Sequence, residues 1–376
     1  MKTMLRYAAV ASTALFLSTA AALAGPKVVE GPGHNPECFA PWSAETKFFQ
    51  WDAKPGPYRV AVVNGFVGNT WRIQMIKTAK AYVEQAGVKE KIKEFKVVST
   101  GTDVAAQLGA IEDFINQGYD AIVTIAVSPD GFDRVIKLAD KNNVVVVPFD
   151  NVLDTDKVMM VNENQLEMGR MSGAWLREQL GDKKDGKILE VRGLPGNSVD
   201  RDRHIGFRET MEKDANFEII EVVGNWDDGT AQKVTADAIA VHGKFEGVFV
   251  QGGSTGTVRA MLDAKHPLIP IAGEAENGFR KQLAELGKDG LKGLSVGQSP
   301  GLVAISIKAA LSALEGNKMP QLISVPIPQA KYTELKDGVN YWSNLTDNFF
   351  TPNEFPPCGV NITATEIMAK DEANVQ

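Results

Sequence analysis

Polar and aromatic residues recur in this chain where short apolar runs stop. Thr70 and Trp71 follow the run at 58–63, Asp150 and Asn151 follow the run at 144–148, and Trp226 comes after Val223. Arg201 opens a helical stretch after Val191, Gly252 follows the run at 247–251, Glu274 follows Ala272, and Gln298 follows Val296. Carboxylates, planar amides and a guanidinium group can hydrogen-bond adjacent hydroxyls in pairs, while an indole ring covers a C–H face. Together these groups suit a neutral, polyhydroxylated ligand. One at a time they have plainer readings, since a lone Trp71 is more often core and a lone Arg201 more often an exposed helix start. Their recurrence at strand ends is what points to a site.

The elements that would position them follow a regular alternation. Runs at 58–63, 95–99, 121–125 and 144–148 are continuous in Val, Ile and other β-formers, and stretches at 70–85, 103–117 and 129–141 carry helical periodicity. A second set has strands near 187–191, 217–223, 247–251, 269–272 and 294–298. Its helices are expected over 165–180, 201–214, 230–242, 255–264 and 301–314. Apolar runs without polar alternation, separated by helices, imply parallel strands covered on both faces. The expected fold is therefore α/β, with two doubly wound parallel-sheet lobes. Ligands of such sheets sit off the carboxyl ends of the strands, so a cleft shared by the two lobes is the expected site. The segment 344–360 reads as irregular, packing across a lobe.

Met1 to Arg6 is a short positive head, 7–24 carries no charge, and Ala22-Leu23-Ala24 precedes Gly25-Pro26. That is the layout of a secretory leader cleaved after Ala24. Removing Lys2 and Arg6 with it takes the net charge from −7 to −9, which gives no electrostatic case for nucleic acid or an anionic membrane. Cys38 and Cys358, near the two ends, are the only cysteines. In an oxidising compartment they read as a disulfide, with free thiols or a metal pair as the other possibilities. The four His residues (34, 204, 242 and 266) are never spaced as metal ligands on one helix, and no metal or cofactor is expected. Neither a Gly-x-x-x-x-Gly-Lys-Ser/Thr phosphate loop nor a His-Glu-x-x-His motif occurs. Gly252-Gly253-Ser254-Thr255-Gly256 lacks the phosphate-loop Lys and reads as a tight strand-to-helix turn with backbone groups along the cleft.

Over residues 58–331 the sequence resembles the periplasmic sugar-binding proteins of ABC transporters, the ribose-binding-protein-like type I group. The resemblance is carried by Val60-Ala61-Val62-Val63 with Trp71, Gly118-Tyr119-Asp120-Ala121-Ile122 and Val147-Pro148-Phe149-Asp150. The stretch from Gly193 to Gly206-Phe207 and Gly297-Gln298-Ser299-Pro300 extend it. It implies two lobes joined by a hinge, with an N-lobe over 58–161 and 299–328 and a C-lobe over 162–298 and 329–343. An extension at 25–57 and a tail at 344–376 lie outside the pattern. The same resemblance implies Trp71 stacking on a sugar ring, Asp150 as ligand carboxylate and Arg201 as ligand arginine. It puts Trp226 near the C-lobe aromatic and Gln298 at a hinge crossing. Three positions depart from the family pattern: Asn151 replaces an Arg, Glu274 an Asp, and Gly252-Gly253 an Asn-Asp pair. Thr70 stands where a second aromatic is usual.

The expected function is a non-enzymatic, monomeric periplasmic receptor that binds a small neutral sugar or polyol and delivers it to an ABC permease with its ATPase. A receptor for a sugar-like signal (chemotaxis or quorum sensing) shares this fold and site. An exported sugar-active enzyme is a more distant alternative, with no carboxylate pair spaced for glycoside hydrolysis.

Overall fold

The structure, a computed structural model, describes residues 25–351 and 354–375. The expected leader and its cleavage point at Ala24 lie outside the described residues.

The unalternated apolar runs form parallel sheets. In the first sheet β1 (Tyr58–Asn64), β2 (Ile92–Ser99), β3 (Ala121–Ile125) and β4 (Val145–Pro148) lie in the order β2-β1-β3-β4. All are parallel, with Val62 paired to Val123 and Val123 to Val147. Because side chains alternate across a strand, both sides of β1 must be apolar to be covered twice. Val60 and Val62 enter a layer with Met75 and Ile76 of α1 (Thr70–Val83) and with Ile305 of α9 (Leu302–Leu314). Ala61 and Val63 enter the opposite layer, with Ile111 of α2 (Val104–Asn116) and Val135 of α3 (Asp133–Lys141). A bridge from Phe149 to Val161 extends this sheet to β5 (Met160–Glu163), which pairs in parallel with β11 (Leu322–Val325).

The second sheet contains β6 (Asp185–Arg192), β7 (Asn216–Val223), β8 (Gly247–Val250), β9 (Ile271–Glu274), β10 (Gly293–Val296) and β12 (Gln329–Lys331). Its order is β7-β6-β8-β9-β10-β12, with only β12 antiparallel. Leu189 and Val191 face Ala231 of α6 (Asp228–His242) and Val258 of α7 (Ser254–Asp263). Ile188 faces the other way, toward Trp175 of α4 (Gln165–Leu180) and Phe207 of α5 (Ser198–Met211). The two lobes are thus built on one plan. The chain passes between the sheets from β5 to α4, from β10 to α9 and from β11 to β12.

Some elements differ from the sequence reading. The helix expected from 129 starts at Asp133, because Gly131 sits at φ 92, outside the helical region. The stretch between Glu274 and the next strand holds α8 (Asn277–Leu286), in which Phe279, Leu283 and Leu286 share one face. The tail does not pack across one lobe. Its residue 349 bonds to Asn277 of the C-lobe and its residue 350 to Gln74 of the N-lobe. Cys38 and Cys358 form a disulfide across a sequence separation of 320, and both are buried in the layer under α1 and α9. Among the described residues no helix is long and apolar enough to cross a membrane.

Candidate functional site

The carboxyl ends of the strands of both lobes converge on one cavity. It encloses about 410 Å³ of space not filled by atoms, counting the part open to solvent. From the N-lobe it is lined by Asn69, Trp71, Arg72, Asp150 and Asn151. Val199, Arg203, Trp226, Gly252, Glu274 and Glu276 line it from the C-lobe, with Gln298 on a crossing segment and Phe350 on the tail.

Local chemistry sets the N-lobe wall. The Asn69 side chain accepts from the Arg72 backbone amide and caps α1, so the first turn of that helix faces the cleft. Trp71 then lies buried with its indole Nε1 donating to the Gln298 carbonyl at 2.9 Å, a bond that spans the cleft. Arg72 donates to Asn64 Oδ1 at 2.8 Å, and burial brings its guanidinium down to about 10, offset by the nearby Asp150 carboxylate. Asp150 lies two residues beyond β4 at φ 61, a left-handed conformation that Asp tolerates through its short polar side chain. Its Oδ1 is buried without a protein partner. Burial pushes its carboxyl up to about 7, with Arg72 and Arg203 pulling the other way. Asn151 donates to the Ala126 carbonyl at 2.9 Å, so part of its polarity is spent on the fold.

The C-lobe wall depends on close backbone approaches. A Cβ on Gly169 of α4 would lie 2.2 Å from the Arg203 carbonyl, and one on Gly206 of α5 would lie 2.0 Å from the Leu166 carbonyl. Only glycines let α4 and α5 touch in this way, and the contact sets Arg203 beside Gln165. Arg203 is buried and bonded on every side. Its Nε donates to Gln165 Oε1 (2.8 Å), Nη1 to the Gln251 carbonyl (2.8 Å) and Nη2 to Gln298 Oε1 (2.5 Å). Nη2 also stands 2.9 Å from Glu274 Oε1 in an ion pair. Trp226 is held at φ 56, an uncommon conformation for a bulky residue and a mark of local strain. Its ring fits because a Cβ on Gly193 would come within 2.1 Å of Cε2, and one on Gly252 within 2.9 Å of Cδ1. The bare Gly252 therefore makes room for the indole, whereas a Cβ on Gly253 would meet Ala231 and the Asp227 carbonyl instead. Glu276 accepts from the amides of Gly253 (2.6 Å) and Thr255 (3.0 Å) at the start of α7. Burial, with Asp228 nearby, still pushes its carboxyl up to about 8.

Trp71, Asp150, Asn151, Trp226, Gly252, Glu274 and Gln298 thus meet in one cavity, and two expected residues do not. Thr70 lines an adjoining cavity with Asp227, Asp228 and Asp347, which shares Asn69, Trp226, Glu276 and Phe350 with the first. Arg201 is a correction: its side chain is 49% exposed, pairs with Asp202 and lies 3.8 Å from Asp154. Successive helical residues turn by about 100°, so residues two apart face nearly opposite ways, and Arg203 takes the inward position. A signal for this was present, because Val199, Arg203 and Phe207 are spaced by four on the buried face. Asn69, Arg72, Glu276 and Phe350 carry no comparable local signal. The chain also carries Gly-x-Ser-x-Gly spacing at 252–256 and 297–301, the pattern of a hydrolase nucleophile turn. Ser254 Oγ instead accepts from the Glu274 amide at 2.9 Å. His204 bonds Glu190, and His266 bonds Phe245 and Pro267, so neither ring serves as a base for that serine.

The buried acids give the stability of the ligand-free protein a pH dependence of definite sign. In the folded state Asp150 and Glu276 hold protons up to about 7 and about 8, whereas unfolded carboxyls lose them near about 4. Between those limits the folded state binds more protons, so stability is highest at the acid end and falls as pH rises. Melting temperature should drop between pH 5 and pH 8, and Asp150→Asn should flatten the slope. A melting temperature that climbs over this range would contradict the assignment.

Residues 60–318 match the family model described as a periplasmic binding protein domain. The ribose import binding protein RbsB of Bacillus subtilis (strain 168) is 25% identical over 252 residues, covering 66% of this chain and 80% of that protein. An ABC transporter periplasmic solute binding protein from Actinobacillus succinogenes 130z, solved with D-allose, shares the fold at a TM-score of 0.64. Its identity is 19%, and the match covers 74% of this chain and 98% of that one. A Mycobacterium smegmatis protein in complex with β-D-fucofuranose gives a TM-score of 0.65 at 23% identity, with coverage of 73% and 92%.

Proposed function

The chain belongs to the periplasmic binding protein family, and from that premise we propose that it is the solute receptor of an ABC importer, taking up a neutral sugar or polyol. One observation carries the ligand class. In a wall where most polar groups are already bonded, an acceptor (Asp150 Oδ1) and two donors (Trp226 Nε1 and Gln298 Nε2) are buried without protein partners. Buried polar groups are rarely left unpaired, and a hydroxyl can both donate and accept. The cavity's two Arg side chains are already engaged by the protein, Arg72 with Asn64 and Arg203 with Gln165, Gln251, Gln298 and Glu274, so neither guanidinium is left over to pair with an anionic ligand. Trp71, Trp226 and Phe350 supply the apolar surface for a sugar's C–H face.

In this reading residues 58–161 and 299–328 form one moving lobe, and residues 162–298 and 329–343 the other. Closure about the crossings traps the ligand, and the closed form docks on the permease with its ATPase. In this reading the receptor works as a monomer in the periplasm and converts nothing; the Bacillus subtilis relative is by its name an import binding protein.

A thermal-shift screen tests this. Ribose, allose, arabinose, galactose, xylitol, myo-inositol and glycerol would be set against sugar phosphates and amino acids. A cognate neutral sugar at 100 times its dissociation constant adds about 2.7 kcal/mol of stability. Stabilisation by the charged compounds alone would overturn the neutral-ligand reading.

A further inference from the structure

We propose that residues 347–351 of the C-terminal tail form a fourth crossing between the lobes, which closes the mouth of the cavity and sets Phe350 against the bound sugar as a specificity-determining wall. The proposal rests on the sugar-receptor reading for its ligand, but its architecture stands on contacts made by the protein alone.

The segment is fastened to both lobes. On the C-lobe side Asp347 pairs with Arg259 (2.9 Å) and Lys281 (3.2 Å). Backbone bonds then tie the loop from β9 to α8: the Gly278 amide donates to the Asp347 carbonyl, Asn277 to Phe349, and Thr351 to Ala275. On the N-lobe side Gln74 of α1 holds the Phe350 backbone at both ends. Its Nε2 donates to the Phe350 carbonyl (3.0 Å), and its Oε1 accepts from the Phe350 amide (2.8 Å). Beyond the segment, the Cys358–Cys38 disulfide ties the tail into the N-lobe core.

Phe350 itself is buried between the lobes and lines two cavities. One is the inner cavity with Trp71; the other adjoins it, spans about 560 Å³ counting the part open to solvent, and is lined by Thr70 and Asp227, with Trp226 between the two. A large ring on that boundary limits how far a bound molecule can extend outward and offers an apolar face to a sugar. The tail lies beyond the residues matched by the family model, which end at 318, so this wall is an addition to the shared domain. Separation of the lobes must bend this segment or break its hold on one side, either the Gln74 pair or the Ala275, Asn277 and Gly278 bonds with the Asp347 ion pairs, which couples opening of the cleft to the tail.

The test uses the full disulfide-bonded chain with Phe350→Ala, Phe350→Leu and Gln74→Ala. By calorimetry, the neutral sugar that binds wild type best should bind Phe350→Ala at least tenfold more weakly and Phe350→Leu less so. The melting temperature should stay within a few degrees, and larger sugars of the panel should gain relative affinity. Small-angle scattering of the ligand-free protein should show a larger radius of gyration for Gln74→Ala than for wild type. A folded Phe350→Ala with unchanged affinity across the panel overturns the wall, and if that variant fails to fold, Phe350→Leu decides the point. Unchanged scattering for Gln74→Ala overturns the crossing. If no neutral sugar binds wild type, the receptor reading fails and the specificity role fails with it, while scattering still decides the crossing.

Discussion

Arg203→Ala is expected to be the most damaging single change at the cleft, costing about 3–5 kcal/mol of folding stability and abolishing sugar binding. The guanidinium is buried and joins Gln165, Gln251, Gln298 and Glu274. Removing it strands a buried carboxylate and several amide groups at once, and breaking one half of such a network costs more than the network contributes net. Arg203→Lys keeps the charge but cannot reach four partners with a planar fork, so it should recover only part of the loss. Arg201→Ala is the control. Its side chain is half exposed and pairs at the surface, so stability should move by less than about 0.5 kcal/mol and binding should not change. Chemical denaturation and calorimetry on the three variants settle the matter. A harmless Arg203→Ala beside a damaging Arg201→Ala would mean that α5 is rotated from the placement described.

Asp150→Asn should separate binding from folding. Asn tolerates the left-handed backbone at φ 61, which Ala would strain, so the substitution leaves the strand end in place. It removes an acid buried against its own solvation, so stability at pH 8 should stay level or rise. A hydrogen bond from a ligand hydroxyl to a charged group contributes about 1.5–3 kcal/mol. Binding at pH 8 should therefore weaken by about 10-fold to about 150-fold, an estimate that follows from the same energy range. Calorimetry with the sugar that stabilises wild type is the measurement, and undiminished affinity would remove Asp150 from the ligand's contacts.

Much of this was legible in the chain alone. Buried parallel strands need apolar residues on both faces, so runs such as Val60-Ala61-Val62-Val63 and Val145-Val146-Val147 mark themselves without an alignment of the two lobes. Their carboxyl ends then fall at known positions, and Trp71, Asp150, Trp226, Glu274 and Gln298 stand out there because such side chains do not serve a plain turn. The cysteine pair announced its own bond, since an exported chain with two cysteines has few other uses for them. The choice between Arg201 and Arg203 was weaker, because alternating Asp and Arg at a helix start give nearly the same composition on every face, and only the register with Val199 and Phe207 tells them apart.

What the tertiary structure alone decided are contacts between residues far apart in sequence. Phe350 meets Gln74 across 276 positions, and Trp71 meets Gln298 across 227. Glu276 caps a helix that begins 22 residues before it, at Ser254. Trp226 lies in its strained pose because Gly193 and Gly252 leave a slot for it. Local periodicity records which face of an element is buried, since that is set by neighbours three or four residues away. It holds no record of which distant element covers that face, because that choice depends on how both lobes and the tail pack together.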